Sequence, residues 1–300
     1  MEKLIDLHIH TVCSDGVLTP KEVIDEASTN KVSTIAICDH DTIEAYNEEL
    51  FEYAKEKNIK LILGVEISTK TKKCGIHVLG YNFDLNNKEL REKLYNLRNA
   101  RHIYLRNVAK KLEELGYKVA VDELDKIDAV TKAHIANDVI GNKENETKLK
   151  EVFGYVPQMG EFIETIMNEG CPAYVKIKKE TISPKEASSL IHKAGGKVIL
   201  AHPVAYSYED NLTEEDIEKL VMEMQPDGIE TNYIYIDRND IKHNDIVRWN
   251  DFAKKHNLKT TIGSDFHKKD GIHPIIGLVG EDIALTEDEI KQMINFLLHN

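Results

Sequence analysis

Short apolar runs alternate with amphipathic stretches along most of this chain. Residues 4–10 set Leu, Ile and Leu, Ile against Asp6, His8 and His10 and then stop at a polar turn, a strand pattern. The runs 34–38, 61–67 and 76–83 are β-branched or apolar and of strand length. Thr19-Pro20-Lys21-Glu22 has the form of a helix start, with Thr19 as cap, Pro20 in the first position and Glu22 reaching back to the cap. The spacing predicts a further helix over 50–57. The second half repeats the rhythm. Ser183-Pro184-Lys185-Glu186 opens a helix that Gly195-Gly196 ends, strands are predicted at 197–201, 228–233 and 259–263, and helices at 214–224 and 241–256 separate them.

Strands alternating with helices predict parallel β/α architecture, whose ligands bind at the C-terminal strand ends. The rhythm breaks between Asn86 and about Cys171. Residues 90–115 form one long amphipathic stretch rich in Arg and Lys, ending at Gly116, and no alternation returns until Lys185. The expected organisation is therefore a core from 1–84 and 175–300 with a mostly helical insertion over 85–174. No solenoid-length repeat interrupts it.

Composition narrows the function. The 300 residues are 41% hydrophobic and 30% charged, enough apolar content for a real core. No apolar run approaches the roughly 18–20 residues of a membrane span. The sequence Met1-Glu2-Lys3-Leu4 lacks the pattern of an export signal, so no membrane role is expected. Four scattered cysteines, Cys13, Cys38, Cys74 and Cys171, without a C-x-x-C pair, fit a reducing cytoplasm. Lys and Arg number 39 against 52 Asp and Glu, a net charge of −13 that disfavours long duplex nucleic acid as a partner. A small phosphorylated substrate stays compatible if metal ions reverse the local field. Nothing in the sequence fixes the oligomeric state.

Chemistry collects where the predicted strands end. The first carries His8-x-His10, two imidazoles on one face at chelating separation. Asp15 follows before Gly16, where an ordinary turn aspartate is the competing reading. Asp39-His40-Asp41 closes the second strand and Glu66 the third, His77 lies on the fourth, His202 precedes Pro203 after the fifth, and Asp265-Phe266-His267 ends the last. Any one of these, His77 above all, could be a packed residue. Six imidazoles and three carboxylates at successive strand ends point to a shared site for two or three divalent ions. Converging buried carboxylates require such cations or protons. Mixed imidazole and carboxylate ligation suits Mn, Zn or Fe.

The ordered set Asp6-Leu7-His8-Ile9-His10-Thr11, Ser14-Asp15-Gly16, Cys38-Asp39-His40-Asp41, Gly64-Val65-Glu66, His77-Val78-Leu79-Gly80, Ala201-His202-Pro203 and Gly263-Ser264-Asp265-Phe266-His267 resembles the PHP (polymerase and histidinol phosphatase) family of metal-dependent phosphoesterases. The resemblance runs from residue 6 to 267. It implies an α/β fold, a distorted (β/α)7 barrel with an inserted small helical domain. It is strongest to the branch that includes 3′,5′-nucleotide bisphosphate phosphatases. It further implies a grouping in which His8, His10, Glu66 and Asp265 share one metal. Glu66 then bridges to a second held by His77 and His202, and Asp15, His40 and His267 hold a third.

The implied activity is hydrolysis of a phosphomonoester of a small nucleotide, a 3′,5′-bisphosphonucleotide or a short oligonucleotide end. Metal-activated hydroxide would attack, with Glu66, His202 and Asp265 in catalytic positions and His202 a candidate proton donor to the leaving alcohol. The insertion is expected to cap the site. Where the related branch has an R-P-H-I-A-R-like stretch, this chain reads Thr131-Lys132-Ala133-His134-Ile135-Ala136-Asn137, replacing both arginines. Arg101, Lys132, His134 and Lys176 are the candidate substrate-phosphate residues. Tyr206, Tyr208, Cys13 and Cys38 lie near the motifs and are given no catalytic role. The alternatives are a histidinol-phosphate phosphatase or a non-catalytic metal-binding module.

Overall fold

A seven-stranded sheet organises the larger part of the computed structural model, which describes residues 4–176, 181–237, 239–278 and 285–299. In chain order the elements begin with β1 (Leu4–Ile9), α1 (Pro20–Thr29), β2 (Val32–Ile37), α2 (Glu48–Glu56), β3 (Lys60–Lys70), β4 (Gly75–Tyr81) and α3 (Lys88–Glu114). The helices α4 (Val121–Leu124), α5 (Lys132–Gly141), α6 (Glu146–Phe153) and α7 (Met159–Phe162) follow, with a 3-10 turn at Lys143–Asn145 and a π turn at Ile163–Met167. The chain continues through α8 (Pro184–Lys193), β5 (Lys197–Leu200), α9 (Pro203–Glu209), α10 (Glu214–Met224) and β6 (Gly228–Asn232). The hairpin β7 (Tyr235–Ile236) and β8 (Lys242–His243), α11 (Ile246–Lys255), β9 (Lys259–Ile262) and α12 (Glu287–Leu298) complete it.

The helix starts form as their sequences dictate. Thr19 and Ser183 each accept from the backbone three residues on, while Glu22 and Glu186 return the bond, and Pro20 and Pro184 open α1 and α8. Gly195 follows α8 with φ +79°, the left-handed region that favours glycine at a helix end.

The sheet order is β1-β2-β3-β4-β5-β6-β9. All neighbours are parallel except around β4, which runs antiparallel to both β3 and β5. Uniform parallel architecture, the expectation from the rhythm of the sequence, fails there for a simple reason. Only residues 71–74 separate β3 from β4, and a parallel return needs a crossover of a dozen or more residues. The eleven-residue β3 pairs its first half with β2 and its second half with β4. On β1 the non-polar Ile5, Leu7 and Ile9 and the polar Asp6 and His8 are all buried, as befits a strand covered on both faces. Beyond the strands, Ile9 forms an isolated bridge with Phe266, and the His10 N–H donates to the Phe266 carbonyl at 2.9 Å. The predicted helix over 241–256 begins later, at Ile246, because Lys242 and His243 pair with Ile236 and Tyr235.

The chain divides into two units, Met1–Leu94 with Thr181–Asn300, and Tyr95–Glu180. The first packs Leu7, Ala36, Leu79 and Ile199 within its sheet core. The second is helical and has its own core, which includes Leu105, Leu112, Ile135 and Phe162. Buried Asn145 ties it together, accepting from the Lys118 N–H and donating to the Lys118 and Val139 carbonyls. No helix among the described residues is long and apolar enough to cross a membrane.

Candidate metal centre

The nine residues singled out at the strand ends of the sequence form one continuous set of contacts, with Glu66 at its centre. Glu66, in the middle of β3 and 1% exposed, has five imidazoles about it. Its Oε1 lies 3.1 Å from His77 Nδ1, 3.1 Å from His202 Nε2 and 3.5 Å from His8 Nε2. Its Oε2 lies 2.9 Å from His40 Nδ1 and 3.4 Å from His10 Nε2. Asp265 Oδ1 stands 3.1 Å from His10 Nε2 and 3.5 Å from His8 Nε2. Asp15 completes the set, 3.2 Å from His267 Nε2 and 3.6 Å from His40 Nε2.

Strand direction explains why these residues meet. His8, His10, His40, His202, Asp265 and His267 sit at or just past the C-terminal ends of parallel strands. His77 is the third residue of β4, and only because β4 is reversed does its beginning lie on the rim where its neighbours end. Glu66 reaches the same rim because β3 runs on past it to Lys70. The backbone bends sharply here. Asp41, His202 and Asp265 all have positive φ, of +55°, +23° and +52°, a conformation that non-glycine residues adopt when the surroundings impose it.

Without cations this arrangement is electrostatically awkward. His8 Nε2 and His10 Nε2 approach to 3.1 Å, and His77 Nδ1 and His202 Nε2 to 3.4 Å, so ring nitrogens face one another. Asp15 Oδ1 and Glu66 Oε2 are buried with imidazole nitrogens alone for company, His267 Nε2 at 3.2 Å and His40 Nδ1 at 2.9 Å. Burial opposes charge on Glu66, Asp265 and Asp15, yet the surrounding imidazoles outweigh it and hold all three carboxyls well below their usual range. Burial likewise opposes a proton on His8, His202 and His267, and the neighbouring carboxylates reverse it: all three are raised, His267 to about 10. Burial and the adjacent His267 push His10 down to about 4. A donor set of six imidazoles and three carboxylates is the kind that holds Zn, Mn or Fe. Among the described residues, three subsets bring ligand atoms close enough for one ion: His8, His10 and Glu66; His40, Glu66 and His77; and His10, Asp15, His40 and His267.

Three further carboxylates support these side chains. Asp39 accepts from the Thr11 N–H, the Thr11 hydroxyl and the Ser14 hydroxyl, and the Ser14 oxygen lies 3.3 Å from His10 Nδ1. Asp6 is fully buried, which raises it to about 6, and accepts from the backbone of His8, Ser264 and Gly277. Glu230 on β6 meets His8 and His202. Sequence reasoning missed Glu230, although a carboxylate inside the run Gly228-Ile229-Glu230-Thr231 was the available signal. Tyr206 is buried, and its oxygen accepts from the His77 N–H at 2.8 Å. Tyr208 lies against the His243 ring at 3.7 Å between centroids. Burial raises the Cys38 thiol, which donates to the Leu7 carbonyl.

The candidate phosphate residues belong to the helical unit. Arg101 is half-buried on α3. Lys132 opens α5 and donates to Asn168 at 3.0 Å. His134 is the reciprocal partner in the cap of α5, its Nδ1 accepting from the Thr131 N–H at 3.1 Å. Lys176 is exposed.

A PHP domain model matches residues 6–240, and the chain belongs to that family. Among its relatives is a 5′-3′ exoribonuclease from Haemophilus influenzae, 34% identical over 272 residues, covering 89% of this chain and 91% of that one. A 3′,5′-nucleoside bisphosphate phosphatase from Chromobacterium violaceum is 28% identical over 288 residues, covering 95% and 92%. A Bifidobacterium adolescentis protein of known structure superposes with a TM-score of 0.77 over 100% of this chain and 98% of its own. At 21% identity that likeness is one of fold.

Proposed function

We propose that this chain is a metal-dependent phosphoesterase that hydrolyses a phosphomonoester of a small nucleotide, either a 3′,5′-bisphosphonucleotide or the end of a short oligonucleotide. The observation that carries the reading is Glu66: one buried carboxylate whose two oxygens face different imidazoles, His8, His77 and His202 on one side and His10 and His40 on the other. In this reading His8, His10, Glu66 and Asp265 form one ligand group. Glu66 with His77 and His202 forms a second, and Asp15, His40 and His267 a third. Divalent ions held there supply Lewis acidity and bring the pKa of water toward neutrality.

The remaining chemistry falls to the residues themselves. Glu66 is placed to hold two groups at a fixed separation. Asp265, His77 and His267 are the partly exposed members, at 20%, 32% and 33%, so the phosphate approaches across them. His202 turns Nε2 inward to Glu66 and His77, and its Nδ1 is buried without a hydrogen bond. That orientation supports reading His202 as a ligand. The sheet is read as a distorted (β/α)7 barrel closed through the Ile9–Phe266 bridge and 85–174 as the helical insertion. Arg101, Lys132 and His134 within the insertion, and Lys176 just past it, are kept as the candidate substrate-phosphate residues.

Both curated relatives bear names that specify phosphorylated nucleotide chemistry, and the likeness covers nine-tenths of the chain in each case. The test is a release screen with Mn2+, Zn2+ and Fe2+ supplied in turn, over 3′,5′-bisphosphonucleosides, 5′-phosphorylated short RNA, nucleoside monophosphates and histidinol phosphate. Release from the bisphosphonucleosides or RNA ends is expected to exceed the others. Best turnover of histidinol phosphate would reject the substrate class, and no turnover with any metal would reject the enzyme reading.

A further inference from the structure

Glu230 lies on β6, the strand beside β5 and β9, and is completely buried. It touches two members of the metal centre that come from different parts of the chain. His8 Nδ1 lies 3.1 Å from its Oε1 and 3.2 Å from its Oε2, and the backbone N–H of His202 donates to its Oε2 at 3.0 Å. His202 holds the unusual φ of +23°, so this bond restrains a backbone turn with little intrinsic preference for its shape. The neighbouring strand makes room for the contact. Gly263, just past β9, has no Cβ, and one built there would collide with both the His8 Cβ and Glu230 Oε1.

We infer that Glu230 is a positioning residue, one carboxylate that orients two ligands of the proposed centre at once. The inference rests on the metal-centre reading above. When Nδ1 of His8 carries the proton and gives it to Glu230, Nε2 is left with a lone pair, and Nε2 is the atom that points to Glu66 Oε1 and Asp265 Oδ1. When the His202 N–H is held, its imidazole is carried to Glu66 Oε1 from the other side. Glu230 thus stands behind two of the three imidazoles that face Glu66 Oε1, His8 and His202, the third being His77.

Both oxygens face His8 Nδ1 and Oε2 also holds the His202 N–H, so the carboxylate presents acceptors alone to both ligands. In Glu230→Gln one of the two positions becomes an NH2 group. At the Oε1 position it sets a donor against the Nδ1–H of His8 and weakens the hold on the tautomer that leaves Nε2 its lone pair. Facing His202, it sets donor against donor and releases the turn. Shape and volume are unchanged in either case.

The experiment measures Zn2+ affinity by competition with a chelator, for wild type and Glu230→Gln, alongside far-UV circular dichroism. Expected is a 10- to 100-fold weaker affinity for at least one ion with an unaltered spectrum. Equal affinity in the two proteins overturns the inference and leaves the metal centre standing. Failure of the wild type to take up Zn2+ overturns both. Should the variant not fold, long-range 1H–15N spectra of Zn2+-loaded wild type decide the matter alone. A proton on His8 Nδ1 is the expected result, and a proton on Nε2 overturns the assignment.

Discussion

Replacing Glu66 by Gln tests the centre most directly. The change removes one negative charge and almost no volume, so no cavity forms. The strand is anchored independently of the side chain: the Glu66 N–H donates to the Asp39 carbonyl at 3.3 Å, and the Asp41 N–H donates to the Glu66 carbonyl at 2.8 Å. The loss is therefore one of ligation. Each oxygen of Glu66 serves a different set of imidazoles, so a bridging role entails at least two charge-assisted contacts. Such contacts are worth about 1.5–3 kcal/mol each. Two of them give roughly 3–6 kcal/mol, or about two to four decades at ~1.4 kcal/mol per decade. The assay is kcat/KM on a 3′,5′-bisphosphonucleotide in metal-supplemented buffer, with elemental analysis of the same samples and a thermal melt as the folding control. A drop of a hundredfold or more with reduced metal content is expected. Turnover within threefold of wild type at full metal content would show that Glu66 does not bridge, and the grouping of the nine residues would have to be redrawn.

Three other outcomes follow from the same structure. Elemental analysis after supplementation should find two or three divalent ions per chain, and none bound would refute the centre. Because the neighbouring carboxylates raise His8, His202 and His267, the last to about 10, ion binding should release protons and weaken as pH falls. Calorimetry with Zn2+ at pH 7.5 in buffers of different ionisation enthalpy reads that release directly, and zero release contradicts the assignment. Lys132→Ala should lower kcat/KM for a 3′,5′-bisphosphate by roughly 10- to 100-fold, the cost of one charge-assisted contact, and a monophosphate much less. Equal losses would mean that Lys132 does not read the second phosphate.

How much of this was written in the sequence differs by feature. The helix starts at Thr19 and Ser183 were fully legible, since a capping box needs only four consecutive residues to form. The metal-centre candidates were legible because function forces polar residues onto the ends of apolar strands, where they stand out. Strand direction was less so. The four-residue gap between Lys70 and Gly75 already demanded a hairpin, but the surrounding β/α rhythm masked it. Glu230 escaped because it resembles any carboxylate in a strand until His8 and His202, some 222 and 28 residues away, are brought to its two oxygens. His134 was named from its place in a motif, and its part in the capping box of α5, with Thr131 three residues before it, was legible by the same four-residue rule.

The choice of donors also reconciles the charge of the chain with the charge of its proposed substrate. With 52 acidic against 39 basic residues, the surface at large repels phosphate. A site built mainly from carboxylates would cancel its own cations and do the same. Here six of the nine candidate ligands are imidazoles, which bind an ion without neutralising it. Against the three carboxylates of Asp15, Glu66 and Asp265, two divalent ions would leave about one positive charge in excess and three would leave about three. That excess is of the size of a phosphomonoester's own charge, and it lies in a buried setting where it is screened far less than on the surface. Loaded with such ions, the imidazole-rich donor set would attract phosphate locally while the net negative charge of the chain disfavours long polyanions, in keeping with the small nucleotide or chain end proposed above.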